Sequence, residues 1–167
     1  MIKAIVYTSN TGTTKEYARL LGETTALPYY SLDEAGKKLK KQTEIIYLGW
    51  LMAGTIKGYK KAKKNYKICA VCGVGMGRTG TQVEEITKKA KIPKGIKVFT
   101  LQGGFDLKKL TGAYKFAMNA MVKVSGKALQ KKVDKTEEEE EMLDMMLHGG
   151  NKVCIQNLKE ILDWYKE

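Results

Sequence analysis

The chain has 167 residues, 43% of them hydrophobic, enough for one domain with a proper core, and no apolar run in it is long enough to span a membrane. Thirty Lys and Arg against 18 Asp and Glu give a formal charge of +12. This charge points to acidic partners, an anionic membrane surface or a solvated lysine-rich exterior. Cys69, Cys72 and Cys154 are too few and odd in number for a disulfide framework.

In chain order, Ile2 to Thr8 reads as a buried parallel strand at the start of the chain, where no signal peptide is expected. Ser9-Asn10-Thr11-Gly12-Thr13-Thr14 follows, and then a helix with Tyr17, Leu20, Leu21 and Thr24 on one stripe. Leu27–Ser31 reads as a second strand, Leu32–Lys41 as a polar helix, and Glu44–Leu51 as a third strand. Tyr66–Val74 is a fourth, very apolar strand; a helix marked by Val83, Ile86 and Ala90 follows it, and Ile96–Gln102 is a fifth strand. Residues 105–146 interrupt this rhythm. Leu110, Tyr114, Ala117, Met118, Met121, Val124 and Ala128 recur at helical spacing, with seven lysines on the other side. That pattern is either a packed helix with a solvated face or a basic amphipathic helix that touches a membrane or partner. The run Glu137–Glu141 reads as a solvated helix start, and Asn151 as the cap of a last helix carrying Leu158, Ile161, Leu162 and Tyr165. Five strands alternating with helices predict one three-layer α/β domain over residues 1–167. The expected parallel order is 2-1-3-4-5, with a helical insertion after the fifth strand.

The segment Ser9–Thr14 joins a strand to a helix, where free backbone N–H groups and hydroxyl donors suit an anion. No lysine follows Gly12, which excludes the nucleoside-triphosphate loop, and the glycine pattern is not that of a dinucleotide site. The alternative is that Ser9 or Thr11 only caps the helix. Position favours a ligand, because open α/β sheets bind at the carboxyl ends of their strands. Further glycine-bearing loops end the later strands: Trp50-Leu51-Met52-Ala53-Gly54, Gly73-Val74-Gly75-Met76-Gly77, and Gln102-Gly103. Together they frame a ligand with a phosphate tail and a flat head. Cys69 and Cys72 lie within a strand, three residues apart and therefore on opposite faces, which argues against a redox pair. Lone His148 argues against a metal site, and the lysines lack the interleaved aromatics of a nucleic-acid module.

The segment Ser9–Thr14 resembles the phosphate signature of the flavodoxin family, and the order of elements extends the resemblance over nearly the whole chain. The resemblance implies FMN, its phosphate on residues 9–14 and its ring between the two later loops. The stretch Phe99–Asp106 and the long helix after it look like the branch containing menaquinone-dependent protoporphyrinogen dehydrogenase. In that branch the insertion is thought to aid substrate or membrane contact. Two departures stand out: Gly73–Arg78 has no aromatic to stack on a ring, and the chain is basic where typical flavodoxins are acidic. Electron transfer or oxidoreduction with a protein or a quinone-type or other planar partner is therefore expected. So is a cytoplasmic location with peripheral contact at the inner face of the membrane. Arg78 is the nearest candidate to favour a reduced, anionic flavin. A phosphate- or nucleotide-binding module without redox chemistry is the rival reading.

Overall fold

The computed structural model describes residues 1–167. Its central sheet is built from β1 (Ala4–Thr8), β2 (Tyr29–Ser31), β3 (Glu44–Met52), β5 (Lys67–Gly75) and β6 (Lys97–Gln102). These five run parallel in the order β2-β1-β3-β5-β6. A sixth strand, β4 (Thr55–Ile56), folds back antiparallel on the end of β3. The sequence pattern did not foresee it. Ala53 and Gly54 both adopt positive φ, 50° and 73°, which is the backbone of a tight two-residue hairpin turn.

Helices cover both faces, because each buried strand alternates apolar side chains to either side. On one face α1 (Thr13–Thr25) and the closing helix α8 (Lys159–Lys166) pack Tyr17, Ala18, Leu21 and Ile161 against Ile5, Ile46, Leu48 and Cys72. On the other lie α2 (Leu32–Lys38), α3 (Tyr59–Asn65) and α4 (Val83–Ala90). They bring Ala35, Tyr59, Ala62 and Ile86 onto Val6, Ile45, Tyr47 and Val71. The helix α3 went unread because its only apolar residues are Tyr59 and Ala62 among lysines. In α1 the expected inward Thr24 is exposed, and Ala18 and Gly22 fill the stripe instead. Asn151 does not cap the last helix. Its Oδ1 accepts from the Val153 N–H at 3.0 Å, and a 3₁₀ turn at Ile155–Leu158 leads into α8.

The insertion leaves the sheet through β7 (Gly104–Phe105) and returns through β8 (Gly150–Asn151), which pair antiparallel as a two-stranded neck. Between them stand α5 (Gly112–Met121), a π-helical turn at Val122–Gly126, α6 (Lys127–Lys131) and α7 (Glu137–His148). Phe105, Leu110, Met118 and Met145 form a small core of their own. The expected helix runs continuously from Gly112 to Lys131 with a π turn inside it at Val122–Gly126, and its apolar stripe does not extend to Val124, which is 73% exposed. No helix is long and apolar enough to cross a membrane.

Candidate functional site

The segments at the carboxyl ends of β1, β3 and β5 open into a cavity of about 680 Å³, roofed by the insertion. Its first wall is the segment after β1. Gly12, at φ 103°, turns the chain into α1 and serves as its N-cap without any side-chain cap bond. The capping alternative is therefore not what the chain does: neither Ser9 nor Thr11 caps the helix. Ser9 Oγ instead accepts the Gly12 N–H at 3.2 Å and tightens the turn. The first α1 N–H groups remain free of intrahelical partners at the positive end of the helix dipole. Two buried polar atoms in the same segment, Asn10 Nδ2 and Thr14 Oγ1, have no hydrogen-bond partner in the protein. Thr14 is only 1% exposed, so its hydroxyl has been taken from water with nothing in return. This set of neutral donors fits a phosphate group.

Asn10, Thr11, Thr13 and Thr14 line the cavity. Ser9 does not, and Gly12 faces a second, polar recess of about 1040 Å³ behind the segment, beside Lys108, Lys109 and His148. Trp50, Leu51, Met52, Ala53 and Gly54 all line the main cavity, although the first three belong to β3 rather than to a loop. Trp50 meets Tyr114 of α5 edge-on at 5.2 Å, with the Lys57 ammonium 5.8 Å from its ring centre. Val74, Gly75, Met76 and Gly77 also line it.

Gly73, Gln102 and Gly103 do not line it, and each has a local structural task. A Cβ on Gly73 would stand 2.9 Å from Leu51 Cδ2, so this glycine makes room for a β3 side chain. The Gly103 N–H donates to Gly75 O at 2.7 Å, and a Cβ there would meet Val74 Cγ1 at 2.6 Å. The Gln102 carbonyl accepts from the Tyr17 hydroxyl, while its N–H donates to Thr79 Oγ1 at 2.9 Å. Burial pushes the Tyr17 phenol pKa upward, which keeps the hydroxyl protonated as the donor.

The roof supplies what composition alone hid. Phe105, Leu110, Met118, Met121, Met142 and Met146 face the cavity, so its upper wall is apolar and rich in flexible thioethers. Met76 packs against this roof cluster from below. The charged groups on the lining are paired: Lys89 Nζ lies 2.6 Å from Glu85 and Lys132 Nζ 2.6 Å from Glu139.

Arg78 is turned away from the cavity. Its guanidinium donates to Glu141 at 2.9 and 3.2 Å and to Glu137 at 3.1 Å, and these carboxylates raise its pKa further. It therefore brings no uncompensated positive charge to a ligand, contrary to the expectation from sequence. Glu138 accepts the Arg78 backbone N–H at 3.2 Å and the Thr81 hydroxyl at 3.1 Å. The acidic run is thus more than a solvated helix start. Thr136 and Glu139 form its capping box, and Glu137, Glu138 and Glu141 latch α7 onto the segment after β5.

The three cysteines are free; Cys72 is fully buried in the core and its thiol pKa is pushed up by desolvation. No group of three or more metal-ligating side chains comes together. No family model matches the chain, and neither the curated proteins nor the solved structures contain a match to it.

Proposed function

We propose that this chain is a flavodoxin-like redox protein that holds FMN in the roofed cavity and exchanges electrons with a quinone-type or other planar partner. The reading rests on one observation above all: the segment after β1 buries two unpartnered polar atoms, Asn10 Nδ2 and Thr14 Oγ1, at an uncapped helix N-terminus. Leaving such groups unpaired costs about 1–3 kcal/mol each, and a phosphate removes that cost. FMN supplies two-electron and one-electron chemistry that no side chain here provides.

The chain's own residues bind, orient and exclude water. Asn10, Thr11, Thr13 and Thr14 hold the phosphate with neutral donors. Trp50 to Gly54 and Val74 to Gly77 flank the flat part of the ligand, and the methionine roof keeps water out while yielding to a second planar molecule.

The test is titration of the purified protein with FMN, riboflavin and a nucleoside monophosphate, followed by flavin absorbance and fluorescence. Tight binding of FMN with quenched fluorescence supports the reading. Binding of the nucleotide alone establishes the rival, non-redox module, and failure of all three rejects both. Anaerobic reduction of the loaded protein with quinol or carrier donors then separates an oxidoreductase from a one-electron carrier.

A peripheral membrane contact is the second part of the proposal. On α5 and the π turn, Phe116 and Val124 are 80% and 73% exposed and are flanked by Lys115, Lys123 and Lys127. An exposed apolar ridge edged by lysines suits an anionic bilayer surface.

A further inference from the structure

The chain's charge is not spread evenly. Residues 32–44, 57–67 and 83–97 comprise α2, α3, α4, their flanking connections and the first residues of β3, β5 and β6, and they hold fifteen lysines against five carboxylates. That is +10 of the net +12. The opposite layer, α1 and α8, holds four basic and four acidic residues and is neutral. The excess on this side sits on α3, with four lysines and no acid, and on the connections and strand ends around it, while α2 and α4 are each balanced.

Only four of those fifteen lysines have a carboxylate within reach, at Lys61–Asp33, Lys67–Glu44, Lys88–Glu84 and Lys89–Glu85. The others project unpaired, and their mutual repulsion disfavours the fold unless it serves something. We infer that the α2–α3–α4 face is a docking surface for an acidic protein.

Three features favour a protein over the other polyanions. The face has no arginine, since the chain's two lie at Arg19 and Arg78, so it lacks the planar fork that grips phosphates and reads bases. None of its large hydrophobic side chains is exposed, so it offers no ring for stacking bases and no wedge for lipid. Eight of its lysines stand on the three helices and seven on the connections and strand ends beside them, a dispersed set. Dispersed lysines without apolar anchors give fast, salt-sensitive, transient association with a complementary protein surface. The face also runs up to the cavity. Lys57 sits over the Trp50 ring and Lys89 lines the cavity, so a partner docked here lies beside the cavity mouth. The docking itself does not require that the ligand be a flavin.

The experiment uses the full chain without added ligand and a dye-labelled plant-type [2Fe–2S] ferredoxin as a defined acidic protein, read by fluorescence anisotropy. Random duplex DNA and phosphatidylserine vesicles are run in parallel at the same salt. The variant Lys38→Glu/Lys60→Glu/Lys64→Glu/Lys91→Glu avoids every paired and cavity-lining lysine. A control variant, Lys15→Glu/Lys166→Glu, lies on the neutral face. The expected result is that ferredoxin binds wild type, that binding weakens steeply with salt, and that the fourfold variant loses about tenfold or more in affinity. The control should change less than about threefold. Circular dichroism and thermal melting establish that both variants are folded. The assignment is overturned if ferredoxin does not bind at low salt, if the two variants lose affinity equally, or if DNA binds wild type more tightly than ferredoxin. It is also overturned if the fourfold variant releases vesicles and keeps ferredoxin.

Discussion

Thr14→Val should stabilise the ligand-free protein and weaken its ligand. Threonine and valine are nearly isosteric and both β-branched, so the helical rotamer and the packing at this 1% exposed site survive the change. What is lost is a hydroxyl with no partner in the protein. A buried unsatisfied group costs about 1–3 kcal/mol, and that cost is relieved in the variant. For a chain of this size the melting temperature should rise by about 2–10 °C. With a phosphate bound the sign reverses, because a hydrogen bond to a charged acceptor is worth about 1.5–3 kcal/mol, or about 10- to 150-fold in affinity. Differential scanning calorimetry of the ligand-free protein reads the first effect and titration with FMN the second. Riboflavin, which lacks the phosphate, is the internal control: its affinity should be the same for both proteins. A variant that melts lower than wild type and binds FMN equally well would refute the argument, since Thr14 would then be an ordinary core residue.

Other outcomes follow from neighbouring features. Glu138→Ala/Glu141→Ala removes two of the three latch carboxylates on the segment after β5, so amide hydrogen exchange over residues 106–149 should accelerate at least several-fold while the melting temperature moves little. Acid should act on the same latch. The Arg78 guanidinium, and after it Gln102, holds the Glu141 carboxyl below its ordinary value of 4.5. The contribution is therefore full above that value and is lost as pH falls through the depressed one. Exchange in the roof should rise on acidification before the sheet unfolds. At the amino end of the central strand β3, Lys67 and the N-terminal ammonium hold the Glu44 pKa down at about 2, so that contact should persist from pH 4.5 down to about 2. Gly49→Ala should destabilise by about 1–3 kcal/mol in urea unfolding, because its Cβ would stand 2.5 Å from Lys57 O and 2.6 Å from Ile56 Cγ2. Lys115→Glu/Lys123→Glu/Lys127→Glu should abolish sedimentation with anionic vesicles; wild type that ignores such vesicles removes the membrane proposal.

The parallel strands were legible because each is an apolar run of strand length ended by glycine or a hydroxyl residue, and burial on both faces demands that composition. Their ends placed the residues of the cavity floor: four of the six from Ser9–Thr14, all of Trp50–Gly54 and Val74–Gly77 line it. Glycine was the ambiguous signal. Gly73 and Gly103 were read as room for a ligand, yet they make room for Leu51 and Val74, and sequence does not distinguish the two uses. The hairpin at β4 and the helix α3 were missed for a similar reason. Two paired residues carry no periodicity, and seven residues with four lysines carry little. The roof over the cavity depends on how the insertion folds back, and only contacts far apart in sequence, such as Arg78 with Glu141, determine that.

Because β7 and β8 pair residue for residue, Phe105 with Gly150 and Gly104 with Asn151, the roof enters and leaves the sheet at one point. Its helices are a detachable appendage in the topological sense: a short turn from Phe105 to Gly150 would close the chain without moving any strand of the main sheet. The same neck confines any large displacement of the roof to a swing about two adjacent backbone segments. In the proposed reading, a bound ligand's exposure to solvent and the identity of the molecule that reaches it would therefore change through the sequence of one appendage, while the segment after β1 stays as it is.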